Sequence, residues 1–315
     1  MSLNRPDVLV GAIEGGGTKY VCAVGTGPGE KLLARTEFAT GDDPVRLLSA
    51  VADWLREQEK SFGKLSALGF ASFGPVDLAN GFITSTPKPG WRNTDVLGPF
   101  RRAFPGIPIG FDTDTNGAAL GEYFWGHAAG LEDFIYITIG TGIGAGGMAG
   151  GRLLHGLVHP EVGHIYLLTI PGDEFAGACQ FHGRCWEGLC SGPAILARTG
   201  IAAEKLPPDH PAWDLETRYI GYAIANIVCT LSPRRVIIGG SIRKGGQLGE
   251  AAFFQSVRQH LRAALNGYVV APELLEENIP RYIVPPLLGD DAGVCGAIAL
   301  GQCSIAGLGS PFLVN

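Results

Sequence analysis

Apolar positions along this chain fall into one arrangement that occurs twice. DVLVGAIEGGGTKYVCAVGTG, near the amino end, reads as strand, glycine turn, strand, and FIYITIGTGIGAGGMAGG from Phe134 repeats it. In each, a run of β-branched and other apolar residues meets a glycine cluster carrying a threonine and then resumes. Between and after these hairpins the period changes. VRLLSAVADWLREQ spaces its apolar residues as one face of a helix, and LSALGFASFG then reads as a strand. Further on, Trp213 to Leu231 predicts a long helix stopping before Pro233, RRVIIGG a buried strand, and AAFFQSVRQHLRAALN a second amphipathic helix. This order predicts two α/β lobes, each opening on a hairpin with a glycine loop, and a ligand cleft between them. The alternative is a single α/β sheet whose glycines only make turns. The boundary is expected near Asn116–Gly121, with a first lobe over residues 1–118 and a second over 119–290. The last helix-like stretch, Asp291 to Leu300 within a tail of about 291–315, is expected to return to the first lobe.

Composition narrows the class. A chain of 315 residues, 46% hydrophobic and 17% charged, can bury a large interior and is expected to be globular. Its formal charge of −6 argues against a general binder of nucleic acid or of a membrane surface, since neither polyanion attracts it. Small anions are another matter, because local backbone donors hold them. The amino end, MSLNRPDVLVGAIEGGG, lacks the pattern of a signal peptide, and no apolar stretch approaches the roughly 20 residues that span a bilayer. Cys22, Cys229, Cys295 and Cys303 stand singly, whereas Cys179, Cys185 and Cys190 crowd one short segment. That usage fits a reducing cytoplasm and a local metal site better than a disulfide framework.

Both glycine clusters suit phosphate. Without Cβ atoms, successive amides approach an anion closely and form a concave donor surface. Gly15, Gly16 and Gly17 lead into Thr18 and Lys19, adding a hydroxyl and a cation, although the order differs from a Walker loop. The second cluster, Gly140 to Gly147, contains GxGxxG, but a dinucleotide fold needs a helix starting inside those glycines. GGMAGG makes a poor helix interior, at about 1 kcal/mol per glycine, so a phosphate-gripping hairpin is the better reading. For either loop alone an ordinary tight turn remains the competing explanation.

IGFDTDTNGAALGEYFWG places Asp112 and Asp114 after a short strand, with Asn116 opening a helix-like run. A carboxylate at a strand's carboxyl end is well placed to take a proton from a substrate hydroxyl. The bland alternative is that Asp112, Asp114 or Asn116 merely caps the helix. His164 and CQFHGRCWEGLC supply a denser signal: Cys179-x2-His182-x2-Cys185, with Cys190 beyond. Thiolates and imidazoles so spaced suit tetrahedral Zn²⁺. His164, Cys179, His182 and Cys185 are the expected quartet, with Cys190 in reserve. Four protein ligands imply a structural ion. His155 and His159, in HGLVHPEVGH, are read as structural or surface residues.

Taken together, these motifs resemble the ROK family of sugar kinases (repressors, open reading frames and kinases) over nearly the whole chain. The resemblance implies an α/β, two-lobed actin/hexokinase-like ATPase fold, ribonuclease H-like in each lobe, with an interlobe cleft. EGGGTK resembles the family's first phosphate loop, carrying Gly15, Gly16, Gly17, Thr18 and Lys19. IGTGIGAG, with Thr141 and Gly142, resembles the second, and IIGGS, with Gly240, the adenosine-binding segment. TDTN resembles the catalytic NDxN element, which assigns Asp114 as general base and places Asn116 among the substrate contacts. EVGH resembles ExGH, implying that Glu161 and His164 touch the sugar while His164 also binds zinc. GRCWE resembles the end of the cysteine-rich signature, making Glu187 a sugar-contacting acid and segment 159–190 the zinc-binding segment of the second lobe. Thr113 stands where the family usually has Asn, and His182 where it usually has Cys.

That histidine, together with TPKPGW at Thr86–Trp91 and HPEVGH, resembles the bacterial zinc-containing fructokinase branch. Trp91, Arg92 and Asn93 are then expected around the sugar. The implied activity is transfer of the γ-phosphate of Mg-ATP to the 6-hydroxyl of a hexose, fructose before glucose, mannose or N-acetylmannosamine. Implied partners are ATP, the hexose, Mg²⁺ and a structural Zn²⁺, in a cytoplasmic enzyme of a kind typically found as a homodimer. Repressors within the family carry an amino-terminal DNA-reading domain, and the first phosphate loop begins here at Glu14.

Overall fold

The structure, a computed structural model, describes residues 8–305. Contacts divide the chain into two compact units. The first comprises residues up to Gly130, Gly146–Pro160, and Leu287 onward, and the second Leu131–Ala145 and Glu161–Pro286.

The first unit is built on a five-stranded sheet. β1 (Val10–Gly15), β2 (Lys19–Gly25) and β3 (Leu32–Ala39) form an antiparallel meander, and β4 (Ala67–Ser72) lies parallel to β1. Three short antiparallel strands follow as a separate sheet: β5 (Val76–Asp77), β6 (Phe82–Ile83) and β7 (Thr94–Asp95). β8 (Ile109–Thr113) then pairs in parallel with β4, giving the order β3-β2-β1-β4-β8. β4 is buried throughout, while β3 alternates half-buried and exposed residues, as expected of a central and an edge strand.

Helix α1 (Pro44–Phe62) starts where the Asp43 side chain accepts the Arg46 amide at 3.0 Å and stops at Gly63, whose φ is 95°. Its stripe of Leu47, Leu48, Val51, Ala52 and Leu55 is buried. The short α2 (Gly98–Ala103) precedes β8, and α3 (Asp114–Trp125) follows it directly. Asn116–Gly121, expected as the boundary, therefore lies inside α3 and inside the first unit.

The second sheet has the order β11-β10-β9-β12-β13, from β9 (Phe134–Ile139), β10 (Ile143–Ala149), β11 (Arg152–Leu153), β12 (Val236–Gly239) and β13 (Ile283–Val284). β9, β12 and β13 run parallel, and β10 starts in the second cluster of contacts and ends in the first. Its helices are α4 (Trp186–Cys190), α5 (Gly192–Thr199), α6 (Ala212–Leu231), α7 (Glu250–Leu265) and α8 (Ile279–Tyr282).

The chain returns to the first unit with α9 (Ala292–Ile305), apolar on all sides and almost wholly buried. Glycines let it close in. A Cβ on Gly69 of β4 would fall 1.7 Å from the Ala297 carbonyl, and one on Gly296 would fall 1.7 Å from the Gly117 carbonyl of α3. α9 therefore clamps β4 and α3 together. The part of the expected tail beyond residue 305 lies outside the described residues. No helix among the described residues is long and apolar enough to cross a membrane.

Candidate active site

In the first unit, Gly15 pairs with Ser72 and Ser72 with Thr113, so three parallel strands end level with one another. Ligands of parallel α/β sheets collect at such carboxyl ends. Asp114 is the first residue of the helix that springs from the third strand, and the Thr113 hydroxyl accepts the Asn116 amide at 3.1 Å as its cap. The Asp114 carboxylate is half-buried and accepts the Thr115 amide, at 2.8 Å, and its own backbone amide. Burial raises its pKa from 3.8 to about 7, against the lowering effect of those amides. Glu14, at the end of β1, is likewise raised from 4.5 to about 7, first by burial and then by the charge of Asp114. Its Oε2 is buried with no hydrogen-bond partner.

Asp112, two residues before Asp114, is in a different situation. It is buried and accepts the Thr113 amide at 2.7 Å, Asn116 Nδ2 at 2.9 Å and His155 Nε2 at 3.0 and 3.1 Å. His155 Nε2 faces both oxygens of that carboxylate and so carries the ring proton. Asn116 is equally committed. Its Oδ1 accepts the Gly147 amide at 3.1 Å, and its Nδ2 also reaches the Leu154 carbonyl at 3.3 Å. In the first glycine loop the Gly16 amide donates to the Lys19 carbonyl at 2.9 Å, and Gly17, Thr18 and Lys19 are exposed. Lys19 pairs with Glu37 at 2.7 Å.

In the second unit, the turn after β9 is held from two directions. The Gly192 amide donates to the Gly140 carbonyl at 2.7 Å, and the Ile143 amide donates to Glu187 Oε2 at 2.9 Å. A Cβ on Gly163 would lie 2.0 Å from the Ile143 carbonyl, so the Glu161–His164 turn packs on the same residue. Thr141 is exposed in this turn. Gly240, at the end of β12, has φ 84° and lies so close to the Ile139 carbonyl that a Cβ would fall 2.2 Å from it.

His164, Cys179, His182 and Cys185 bring one ligand atom each within 4.8 Å of all the others. His164 Nδ1 lies 3.5 Å from Cys185 Sγ and 3.8 Å from Cys179 Sγ, and His182 Nδ1 lies 3.7 Å from Cys179 Sγ. Ligands at 2.0–2.3 Å around a tetrahedral Zn²⁺ are spaced about 3.3–3.8 Å apart, so two imidazoles and two thiolates fit that ion. A tight backbone loop sets the pair Cys179 and His182: the Gly183 amide donates to the Cys179 carbonyl at 2.9 Å, with Gly183 at φ 60°. Cys190 stands outside the quartet. It is buried, with its Sγ directed to the Glu216 carbonyl at 3.9 Å.

Comparison with known proteins gives the lineage of the chain. The sequence matches the ROK family over residues 10–303. A Bacillus subtilis (strain 168) protein is 43% identical over 297 residues, covering 93% of this chain and 95% of that one. The fructokinase of Pediococcus pentosaceus is 39% identical over 303 residues, covering 95% and 99%. Among solved structures, the ROK hexokinase of Thermus thermophilus superposes with a TM-score of 0.77 at 27% identity, over 95% of this chain and 99% of that one. The chain belongs to the ROK family. Its fold is accordingly the α/β fold of the actin/hexokinase-like ATPases.

Within this ROK chain the residues expected around a sugar are placed unevenly. Glu161 and Asn93 are exposed, the latter with φ 56°, and His164 is half-buried in the His/Cys quartet. Trp91 is fully buried, its ring stacked on Tyr20 at 5.5 Å and its Nε1 donating to the Gly41 carbonyl at 3.0 Å, so it stands in the core. Asn116 is also buried, with its amide used within the protein. Glu14, His155 and His159 were not singled out from the sequence as site residues. Their signals were the acid heading EGGGTK and two histidines four apart just before ExGH.

Proposed function

We propose that this ROK chain is a cytoplasmic ATP-dependent hexose kinase, with fructose as the favoured sugar. One observation carries the assignment of the base: of two carboxylates at the end of β8, Asp112 is tied to the side chains of His155 and Asn116 as well as to the Thr113 amide, while Asp114 meets only backbone amides among the described hydrogen bonds and has a pKa near neutrality. A general base works best when its pKa lies near the working pH. Asp114 takes the proton of the sugar hydroxyl, at O6, as the oxygen attacks the γ-phosphorus and the bond to the β–γ bridging oxygen breaks. Mg²⁺ bound with ATP supplies charge neutralisation on the phosphates. Gly15, Gly16, Gly17, Thr18 and Lys19 of the first unit, and Thr141, Gly142 and Gly240 of the second, offer amides, hydroxyls and a cation to the nucleotide.

Asn93, Glu161, His164 and Glu187 are assigned to the sugar. His164 turns Nδ1 toward the thiolates, which leaves Nε2 to carry the proton and to donate to a sugar hydroxyl. The ion held by His164, Cys179, His182 and Cys185 is read as structural Zn²⁺: it orders the turn bearing Glu161 and the start of α4 bearing Glu187, and fills all four positions with protein. The test is a phosphorylation assay with ATP across fructose, glucose, mannose and N-acetylmannosamine, with metal analysis of the same preparation. Phosphorylation of none of these sugars defeats the reading. A preference for glucose over fructose defeats its finer part.

A further inference from the structure

His159 is buried and joins two segments that the sugar reading uses separately. Its Nε2 accepts the Val76 amide, at the first residue of β5, at 3.1 Å, and the side chain also hydrogen-bonds the backbone of Pro160, the residue before Glu161. The ring packs closely on the chain: a Cβ on Gly74 would fall 3.0 Å from its Cε1 and 3.2 Å from its Nε2. From β5 the connection continues by backbone bonds. The Thr84 amide and hydroxyl donate to the Pro75 carbonyl at 2.8 and 3.0 Å, and the Asn93 amide donates to the Thr84 carbonyl at 3.0 Å. Residues 84–93 therefore form a loop closed at its base, with Arg92 and Asn93 exposed beside the closure. Close to that closure the Trp91 Nε1 donates to the Gly41 carbonyl and ties the loop to a further segment.

We propose that His159 is a positioning residue for sugar selection, setting the loop that ends in Asn93 and the approach to Glu161 in one register. The inference rests on the hexose-kinase reading above. It needs a neutral imidazole with an unprotonated Nε2, and burial, the leading influence on this ring, favours the neutral form. Loss of a buried acceptor at this point leaves the Val76 amide unpaired and loosens both segments together. The effect should fall on the sugar and leave the nucleotide and the chemical step alone, because the hydrogen-bond partners described for this ring, Val76 and Pro160, are assigned to neither.

The test uses the full-length, metal-loaded protein and steady-state kinetics with fructose, glucose and ATP for three variants. His159→Ala, and His159→Asn, whose amide is too short to reach Val76, should raise the KM for fructose about tenfold and narrow the fructose-to-glucose ratio of kcat/KM. Their kcat and KM for ATP should stay within about twofold. His159→Gln places an amide oxygen near the Nε2 position and should restore the fructose KM to within about threefold of the parent. Unchanged sugar kinetics in His159→Ala, or a His159→Gln no better than His159→Asn, overturns the assignment. If His159→Ala does not fold, the comparison of Gln with Asn still decides it. A parent enzyme that phosphorylates no hexose overturns the underlying reading as well. An active parent with indifferent variants overturns only the role of His159.

Discussion

Replacing Asp114 by Asn should slow turnover steeply and, above neutral pH, make the protein harder to unfold. The folded chain holds this carboxyl at about 7 instead of 3.8, mainly through burial. Between those values the folded state keeps a proton that the unfolded state has released. The resulting stabilisation is whole below about pH 4, declines as pH rises, and is gone above about pH 7. At pH 8 the carboxylate is charged in both states, and its desolvation in the folded one is a cost. Three pH units correspond to about 4 kcal/mol at most. Asp114 is half-buried and sits at the first position of α3, so solvent screening and the helix dipole reduce this to about 1–2 kcal/mol.

Asparagine keeps an oxygen for the Thr115 amide and removes the charge. Its melting temperature should exceed the parent's by roughly 2–4 °C at pH 8, with the gain shrinking as pH falls and vanishing by about pH 4. Over the same range kcat should fall about 10²–10⁴-fold with sugar and ATP binding nearly intact. The parent's rate should climb about tenfold per pH unit below 7 and level off above, as a base that must lose its proton requires. Glu14, also raised to about 7, titrates with Asp114 as a coupled pair, so the limb belongs to both. Scanning calorimetry at the two pH values and a coupled kinase assay are sufficient. A variant several degrees less stable at pH 8, turnover within tenfold of the parent, or an acid limb near pH 4 would each refute the reasoning.

Asp112→Asn should show the opposite pattern: it replaces a carboxylate that holds His155 and Asn116, lowering stability by about 1–3 kcal/mol while sparing kcat of the folded fraction, as thermal melts beside active-site titration will show. Removing the metal with a chelator, or replacing Cys179 by Ser, should lower the melting temperature and raise the sugar KM, and full activity in a preparation shown by elemental analysis to be metal-free would exclude the structural-ion role. Glu187→Gln retains an acceptor for the Ile143 amide and should raise only the sugar KM, whereas Glu187→Ala should raise the KM for ATP too; equal effects of both variants on ATP would count against the bond to the turn as a support.

The large elements were legible because their signals are local. Both hairpins announce themselves by β-branched runs broken at glycine, α1 by its apolar spacing between Asp43 and Gly63, and the His/Cys cluster by the short spacing of Cys179, His182 and Cys185. What was hidden depends on residues far apart in sequence. Nothing near Gly146–Pro160 indicates that it packs with the first unit, since the partner of Gly147 is Asn116, thirty-one residues earlier. Glu216 lies on a helix whose sequence gives no hint that the carboxyl is buried, with its pKa well above the ordinary range by desolvation. Trp91 looks the same to a sequence reader whether it lines a pocket or fills a core, and its neighbours Tyr20 and Phe73 decide the matter.

The two aspartates make the point most sharply. From TDTN and the residues before it, either could cap the helix or serve as a base, and both follow the same strand. Asp112 is still within β8, opposite Ala71, and its side chain is drawn inward to His155, forty-three residues later. Asp114 begins the helix, with backbone amides as its partners, and no imidazole donates to it among the hydrogen bonds described. The difference between an acid tied to side chains and one left for the proton-accepting role proposed above is thus set by where the strand ends and by one histidine beyond the second hairpin.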